Sequence, residues 1–411
     1  MAQDKIEKIY LILFSLIPIS IIIGSAISLL NILIILIFFL TFTVKSLDKK
    51  ILKNSTVLFL LIIYGYLIFN SFIAINLEIS ASRNFGFIRL IFLFIAINYL
   101  FSYSNKTKKI FIFWMLIILI VIFDSFIEFF IGRNILGYGE DYGGRIVSFF
   151  KDEPIVAAYL NGFCFLLIGF FFDKYYFKNN YFKFIFYISV IIFFSCILIT
   201  GERSNTLKTI FALSIFFYLN PNLNLKSKLL ITLGIILVFI AIFNSSKYVK
   251  YRYYNYFLTP ILDSKSTADL IKNNKYIILY KSGYEVFKNY PYFGVGNKNY
   301  RLETKKIKKN NKYKNNSHPH QIYLELLSEH GIIGTTILLV LFFVLIFKKL
   351  KIIILTKNSV QLGAFAYLVS VFLPLIPSGS FFNNFNISLF FLNLSILYAC
   401  NPKTNIFQKS S

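Results

Sequence analysis

Apolar runs of about 18 residues or more recur from one end of this chain to the other. That is the length an α-helix needs to cross the hydrocarbon core of a bilayer, where only helices and closed barrels satisfy their own backbone. The chain therefore reads as an all-α polytopic membrane protein, and soluble-domain counting does not apply to its 411 residues. Composition agrees: 57% of residues are hydrophobic and 19% aromatic, and the mean hydropathy is +0.67. The first apolar run passes straight into a second, unlike a cleaved signal peptide. Cys164, Cys196 and Cys400 lie in or beside apolar runs at wide spacing, which is neither a disulfide framework nor a metal pattern.

About twelve transmembrane helices are expected, over roughly 9–23, 26–44, 56–75, 86–103, 110–131, 155–172, 184–200, 205–219, 229–244, 331–347, 360–376 and 381–399. Every second short connection is rich in lysine. These carry Lys45 to Lys53, then Lys106, Lys108 and Lys109, then Lys174, Lys178 and Lys183, then Lys226 and Lys228, then Lys348, Lys349, Lys351 and Lys357. The connections 76–85, 132–154, 201–204 and 376–380 carry few. This is the positive-inside pattern, and it places both termini in the cytoplasm. The net charge of +25 thus reads mainly as topology rather than as nucleic-acid binding. The organisation expected is residues 1–244 as spans one to nine, 245–330 as a long external region, and 331–411 as spans ten to twelve with a cytoplasmic tail. The external region is itself basic, but long loops are exempt from the charge rule.

Inside that region Ser266 and Asp269 have the spacing of a capping box. Ile277, Tyr280, Tyr284 and Phe287 then recur at helical spacing, which predicts an amphipathic helix on the membrane surface or against the bundle. Pro291, Gly294 and Gly296 break it into a turn. Lys305 to Lys314 reads as a solvated loop, with attraction of anionic headgroups as an alternative role.

All three histidines, His318, His320 and His330, fall between Tyr290 and Gly334. Pro319 suits the first turn of a helix, where no N–H is needed, with Ser317 or His318 as its cap. His320 would then sit in that first turn, with Leu324, Leu327 and Gly331 on its face, and the helix would run on into the tenth span. There the helix dipole keeps an imidazole neutral and able to accept a proton from a hydroxyl. A histidine that only caps or hydrogen-bonds is the alternative. His318 and His320 as a metal pair lack a carboxylate partner and make a poor site.

The chain prefers lysine, so its external arginines stand out. Arg203 lies in the corner Gly201-Glu202-Arg203-Ser204, Arg145 follows Gly143-Gly144, and Arg252 and Arg301 flank the surface helix. Guanidinium forks suit phosphate oxygens, while interfacial anchoring is the competing role. Glu140-Asp141 and Asp152-Glu153 have no metal-ligand spacing and read as salt-bridging pairs. Asp124 and Glu128, one turn apart, are the main ionisable groups within a span.

The segment His320-Gln321, nine residues, then Gly331-Ile-Ile-Gly334-Thr335 resembles the signature of the bacterial O-antigen ligase family. Pro291-Tyr-Phe-Gly294-Val-Gly296 is similar to that family's Pro-x-x-Gly-x-Gly turn, and Gly201-Glu202-Arg203-Ser204 to its Ser-Arg-Ser-type corner. The resemblance runs from about residue 200 to 335 and extends beyond only as span count. It implies a GT-C-type, all-helical membrane glycosyltransferase with no metal or other cofactor, working at the outer face of the bacterial inner membrane. The implied donor is a glycan on undecaprenyl pyrophosphate, the acceptor a sugar hydroxyl of lipid A–core, with membrane lipids around them and no nucleic acid. His320 matches the catalytic histidine and Arg203 an arginine that binds the donor pyrophosphate. Arg145, Arg252, Lys275, Arg301 and His318 complete the expected substrate-binding set, and Gln321, Gly331, Gly334, Pro291, Gly294 and Gly296 the motif. One departure is that Lys272 to Tyr290, where the family usually carries another arginine, holds only lysines. Lys275 or Arg252 is the candidate substitute, although a lysine does not reproduce a bidentate fork. The O-antigen polymerase and the protein O-oligosaccharyltransferase are the alternatives within the superfamily, and a transporter or flippase is the alternative outside it.

Overall fold

The computed structural model describes residues 2–43, 49–139, 144–151, 153–262, 274–306 and 315–407. The expected capping box Ser266/Asp269 lies outside the described residues, as do Glu140, Asp141, Asp152 and the lysine-rich run 307–314. Among the described residues there are helices and connecting turns and no strand.

In chain order the helices are α1 (Ala2–Ser15), α2 (Ile17–Ile23), α3 (Ser25–Phe42), α4 (Ser55–Phe72), α5 (Leu77–Phe85), α6 (Ile88–Tyr103), α7 (Lys108–Ile131), α8 (Val156–Phe171), α9 (Asn180–Ile199), α10 (Arg203–Leu219) and α11 (Leu225–Ser245). After a wide π-helical stretch, Tyr251–Leu258, come α12 (Lys275–Asn289), α13 (Tyr300–Lys306), α14 (Ile322–Phe347), α15 (Leu350–Thr356), α16 (Ser359–Val371) and α17 (Asn384–Ala399). Asparagines start many of them. The side-chain oxygens of Asn54, Asn179, Asn224, Asn358 and Asn383 each accept a first-turn N–H, at 2.7–3.0 Å. Each bond satisfies one of the donors that a helix start leaves orphaned.

The chain is a multi-pass membrane protein. Among the described residues eight helices are long and apolar enough to cross a bilayer, fewer than the twelve expected. The expected eighth span is the 17-residue α10. The eleventh and twelfth are the shorter α16 and α17, and the tenth is the part of α14 beyond its break at Gly331. α16 stops at Val371 rather than near 376, because Pro374 and the left-handed Leu375 (φ 63°) follow it. Its 13 residues extend only about 20 Å. These two short helices nevertheless form the heart of the molecule, buried along almost their whole length. α16 packs on α8, α10 and α17, and α17 packs on α6. By contrast α11 buries only Ser227 and Ile231 and lies at the edge.

The surface helix predicted around 277–287 exists as α12 and packs against α14, but on a different face. Leu279, Ser282, Gly283 and Val286 are buried, whereas Tyr284 is exposed and Ile277, Tyr280 and Phe287 are half-buried. A Cβ on Gly283 would lie 2.7 Å from Pro319, so the glycine lets α12 approach the histidine segment. Asp124 and Glu128 serve the next connection. Asp124 accepts from the Ile135 N–H (2.9 Å) and the Ser148 hydroxyl (2.5 Å); Glu128 accepts from the Val147 (2.9 Å) and Ser148 (2.6 Å) N–H groups.

Candidate active site

The two glycine motifs form one structural unit. Gly331 has φ 62° and ψ −172°, so α14 breaks there, and the helix expected to run unbroken from His320 into the tenth span is two helices. Across the break the ordinary i→i+4 bonds are exchanged for bonds to the Pro291–Gly296 turn. Ile332 donates to the Pro291 carbonyl (2.8 Å) and Ile333 to that of Tyr292 (3.1 Å), while Ser328 accepts from Val295 (3.0 Å) and Glu329 from Gly296 (2.9 Å). The turn bends through left-handed Gly294 (φ 69°) and Gly296 (φ 92°). A Cβ on Gly294 would overlap the Glu329–His330 peptide, one on Gly331 would overlap Tyr292, and one on Gly334 would overlap the Tyr66 hydroxyl. Gly294 and Gly331 are thus explained by close backbone contact, Gly296 by Ala74 and Gly334 by the Tyr66 ring.

His320 lies before the helix, not in its first turn. Its φ is 57°, in the left-handed region, and Gln321 is the cap, its side chain accepting the Leu324 N–H at 2.8 Å. Pro319 and His318 precede the cap, so neither Pro319 as first helical residue nor His318 as cap holds, and the same applies to Ser317. The His320 carbonyl accepts the Ser378 N–H at 2.9 Å. Its ring lies 4.0 Å, centroid to centroid, from that of His318 and 6.4 Å from Tyr276. His318 Nδ1 lies 2.9 Å from the Ser317 hydroxyl. Burial, aided by the Lys298 and Arg301 cations, pushes His318 down to about 4, so it is neutral near pH 7. Burial likewise pushes His330 down to about 3, and its Nδ1 lies 3.3 Å from the Tyr66 hydroxyl.

Charged side chains crowd this corner. Lys298 is buried, with φ 64°; it hydrogen-bonds the Ser380 hydroxyl and lies 3.9 Å from Glu325. Glu325 accepts from the Ser380 hydroxyl (2.5 Å) and the Phe381 N–H (2.9 Å). Glu329, on the same helix face, is wholly buried; burial and the Glu325 charge raise its pKa, opposed by Lys298 and Arg301. Arg301 acts electrostatically on His318, Glu329 and Arg83. Arg83 and Arg89 both donate to the Asn384 side-chain oxygen, Arg89 at 3.0 Å. Lys298, Arg83 and Arg89 are not among the residues the sequence singles out, although Arg83, in the connection 76–85, meets the criterion that selects the other arginines.

A second group gathers where α9 turns into α10. Gly201 is left-handed (φ 69°), and its carbonyl accepts from Arg252 at 3.1 Å. Glu202 accepts from the Ala157 N–H (2.8 Å) and the Asn205 side chain (2.6 Å), and burial pushes it up to about 7, with the Arg145 cation opposing. Arg203 opens α10, half-buried, with the Tyr253 hydroxyl near enough to feel its charge. The expected substrate-binding residues thus fall into two groups: His318 and Arg301 with His320, and Arg145, Arg203 and Arg252 around Glu202. Lys275 opens α12, but its side chain lies outside the described residues. Among the described residues no three His, Cys, Asp or Glu side chains converge to hold a metal.

Residues 188–339 match the model of the O-antigen ligase family. The match takes in Arg203, Arg252, the interlocked turn and kink, His318 and His320. No curated protein matches the chain.

Proposed function

We propose that the chain is an O-antigen ligase-type enzyme, which moves a glycan from undecaprenyl pyrophosphate to a sugar hydroxyl of lipid A–core at the outer face of the inner membrane. The observation that carries this reading is the state of His320. A non-glycine residue at φ 57° costs free energy, and its carbonyl is pinned by Ser378. Its ring rests on a second imidazole that burial and two cations keep neutral. Strain of this kind persists where the surroundings over-determine it, typically at functional sites.

In the reaction His320 takes the proton from the acceptor hydroxyl as that oxygen attacks the anomeric carbon. The bond from that carbon to the pyrophosphate oxygen breaks, and the charge on departing undecaprenyl pyrophosphate is met by guanidinium groups. Arg203 is the first of these, with Arg145 and Arg252 beside it and Arg301 on the histidine side. Asp124 and Glu128, the groups that a transporter would use, are instead bonded to the backbone of the following connection.

The test is deletion of the gene, complementation with wild type or with His320→Ala, and separate analysis of surface lipopolysaccharide and the undecaprenyl-linked pool. The proposal expects both the deletion and the His320→Ala strain to lose surface glycan and to accumulate long chains on the carrier. One repeat per core on the surface would identify a polymerase instead. Two unchanged pools would remove the transferase reading altogether.

A further inference from the structure

Residues 377–380 have no regular secondary structure, yet the Ser378 N–H holds the main chain of His320. Something else must fix this strap. At its start the Phe372 carbonyl accepts from the Tyr323 hydroxyl at 2.5 Å. At its end the Glu325 carboxylate takes both the Ser380 hydroxyl and the Phe381 N–H. Glu325 is itself buried, its side chain 1% exposed, and Lys298, 7% exposed, supplies the opposing charge at 3.9 Å. A buried carboxylate is tolerable because three partners satisfy it, and removing one partner leaves an uncompensated charge. Glu325 sits one turn into the helix that Gln321 caps, and its N–H donates to the Gln321 carbonyl at 2.9 Å. The carboxylate therefore links the helix that follows His320 to the strap that grips His320 from the opposite side.

We propose that Glu325 is a positioning residue for the histidine site: by clamping Ser380 and Phe381 it places the Ser378 amide that sets the main chain of His320. The inference rests on the transferase reading for its catalytic consequence, but not for the clamp itself. A catalytic group displaced by about 1 Å loses up to about 100-fold in rate, so loosening the strap acts on turnover rather than on donor binding.

The experiment compares wild type, Glu325→Gln and the double variant Lys298→Met/Glu325→Gln as full-length protein in lipid nanodiscs. The double variant removes both buried charges and remains informative if the single one misfolds. Amide hydrogen exchange across 373–383 reads the clamp. Turnover with an undecaprenyl-linked glycan and a lipid A–core acceptor reads its consequence. In both variants exchange at Ser378 and Phe381 should quicken, and kcat should fall about 10- to 100-fold with the donor KM within about twofold. Unchanged exchange at Ser378 overturns the inference even in fully active protein, and so does full turnover with a loosened strap. An inactive wild-type protein sinks the transferase reading instead, and is told apart because exchange is measured without substrate.

Discussion

Gly331 lies so close to Tyr292 that no side chain fits between them: an added Cβ would overlap the Tyr292 carbonyl. The position is also left-handed, so a substitution is strained as well as crowded. Gly331→Ala should destabilise the folded protein by more than about 3 kcal/mol, seen as lost monodisperse yield after extraction and a lowered melting temperature. Gly294→Ala, which strikes Glu329 and His330 from the other side, should do the same, and the two costs should be less than additive because they break one interface.

His320→Ala should leave folding intact and abolish transfer, with a loss of at least about 100-fold in turnover. A melting temperature within a degree or two of wild type would show that the loss is chemical. Retained activity in properly inserted protein would remove His320 from its assigned role.

His318 sets a pH dependence with a definite sign. Burial moves it from its ordinary 6.5 to about 4 in the folded protein. Between those values the unfolded chain binds the proton and the folded one does not, so stability falls as the pH drops from about 6.5 towards 4. The measurement is melting temperature against pH for wild type and His318→Gln. The variant curve should be flatter in that window, and parallel curves would contradict the burial of a neutral imidazole.

Arg203→Lys separates charge from shape. A lysine keeps the cation but not the planar fork, so donor KM should rise while kcat changes less. Equal kinetics for arginine and lysine at this corner would show that no bidentate phosphate contact is made.

Glu128→Gln tests a structural assignment. One of the Val147 and Ser148 N–H groups would face an amide NH2 in place of its acceptor inside the protein, which costs about 1–3 kcal/mol. Turnover per folded molecule should be unchanged. A selective loss of turnover at normal stability would return Glu128 to a functional role.

The apolar runs gave the helical architecture correctly because hydropathy alone decides it. Span length did not follow, since Pro374 and Leu375 end α16 early in a stretch whose composition is still apolar. The packed face of α12 differs from the expected one because two of its four buried residues, Ser282 and Gly283, contribute nothing to a hydrophobic periodicity, which leaves Leu279 and Val286 alone on it. The sequence places His320 inside a helix because Pro319 fits a first helical residue. The cap is Gln321, and only the strap's Ser378 shows why the chain turns left-handed one residue earlier. The glycines form a recognisable motif, but their reason is tertiary: Gly294 and Gly331 meet across the turn and the kink, and Gly334 meets Tyr66 of α4. Lys298, Arg83 and Arg89 join the site only through tertiary approach, which no spacing rule encodes.

The exchange of bonds at Gly331 also orders the birth of the protein. The Pro291 and Tyr292 carbonyls await the amides of Ile332 and Ile333, which leave the ribosome later. By the same pairing, the Val295 and Gly296 amides await Ser328 and Glu329. Neither segment can complete its backbone bonding until both have been synthesised and brought together. The site around His320 is consequently assembled late, and a nascent chain stalled before residue 334 should insert its earlier spans while leaving the Pro291–Gly296 turn open to protease.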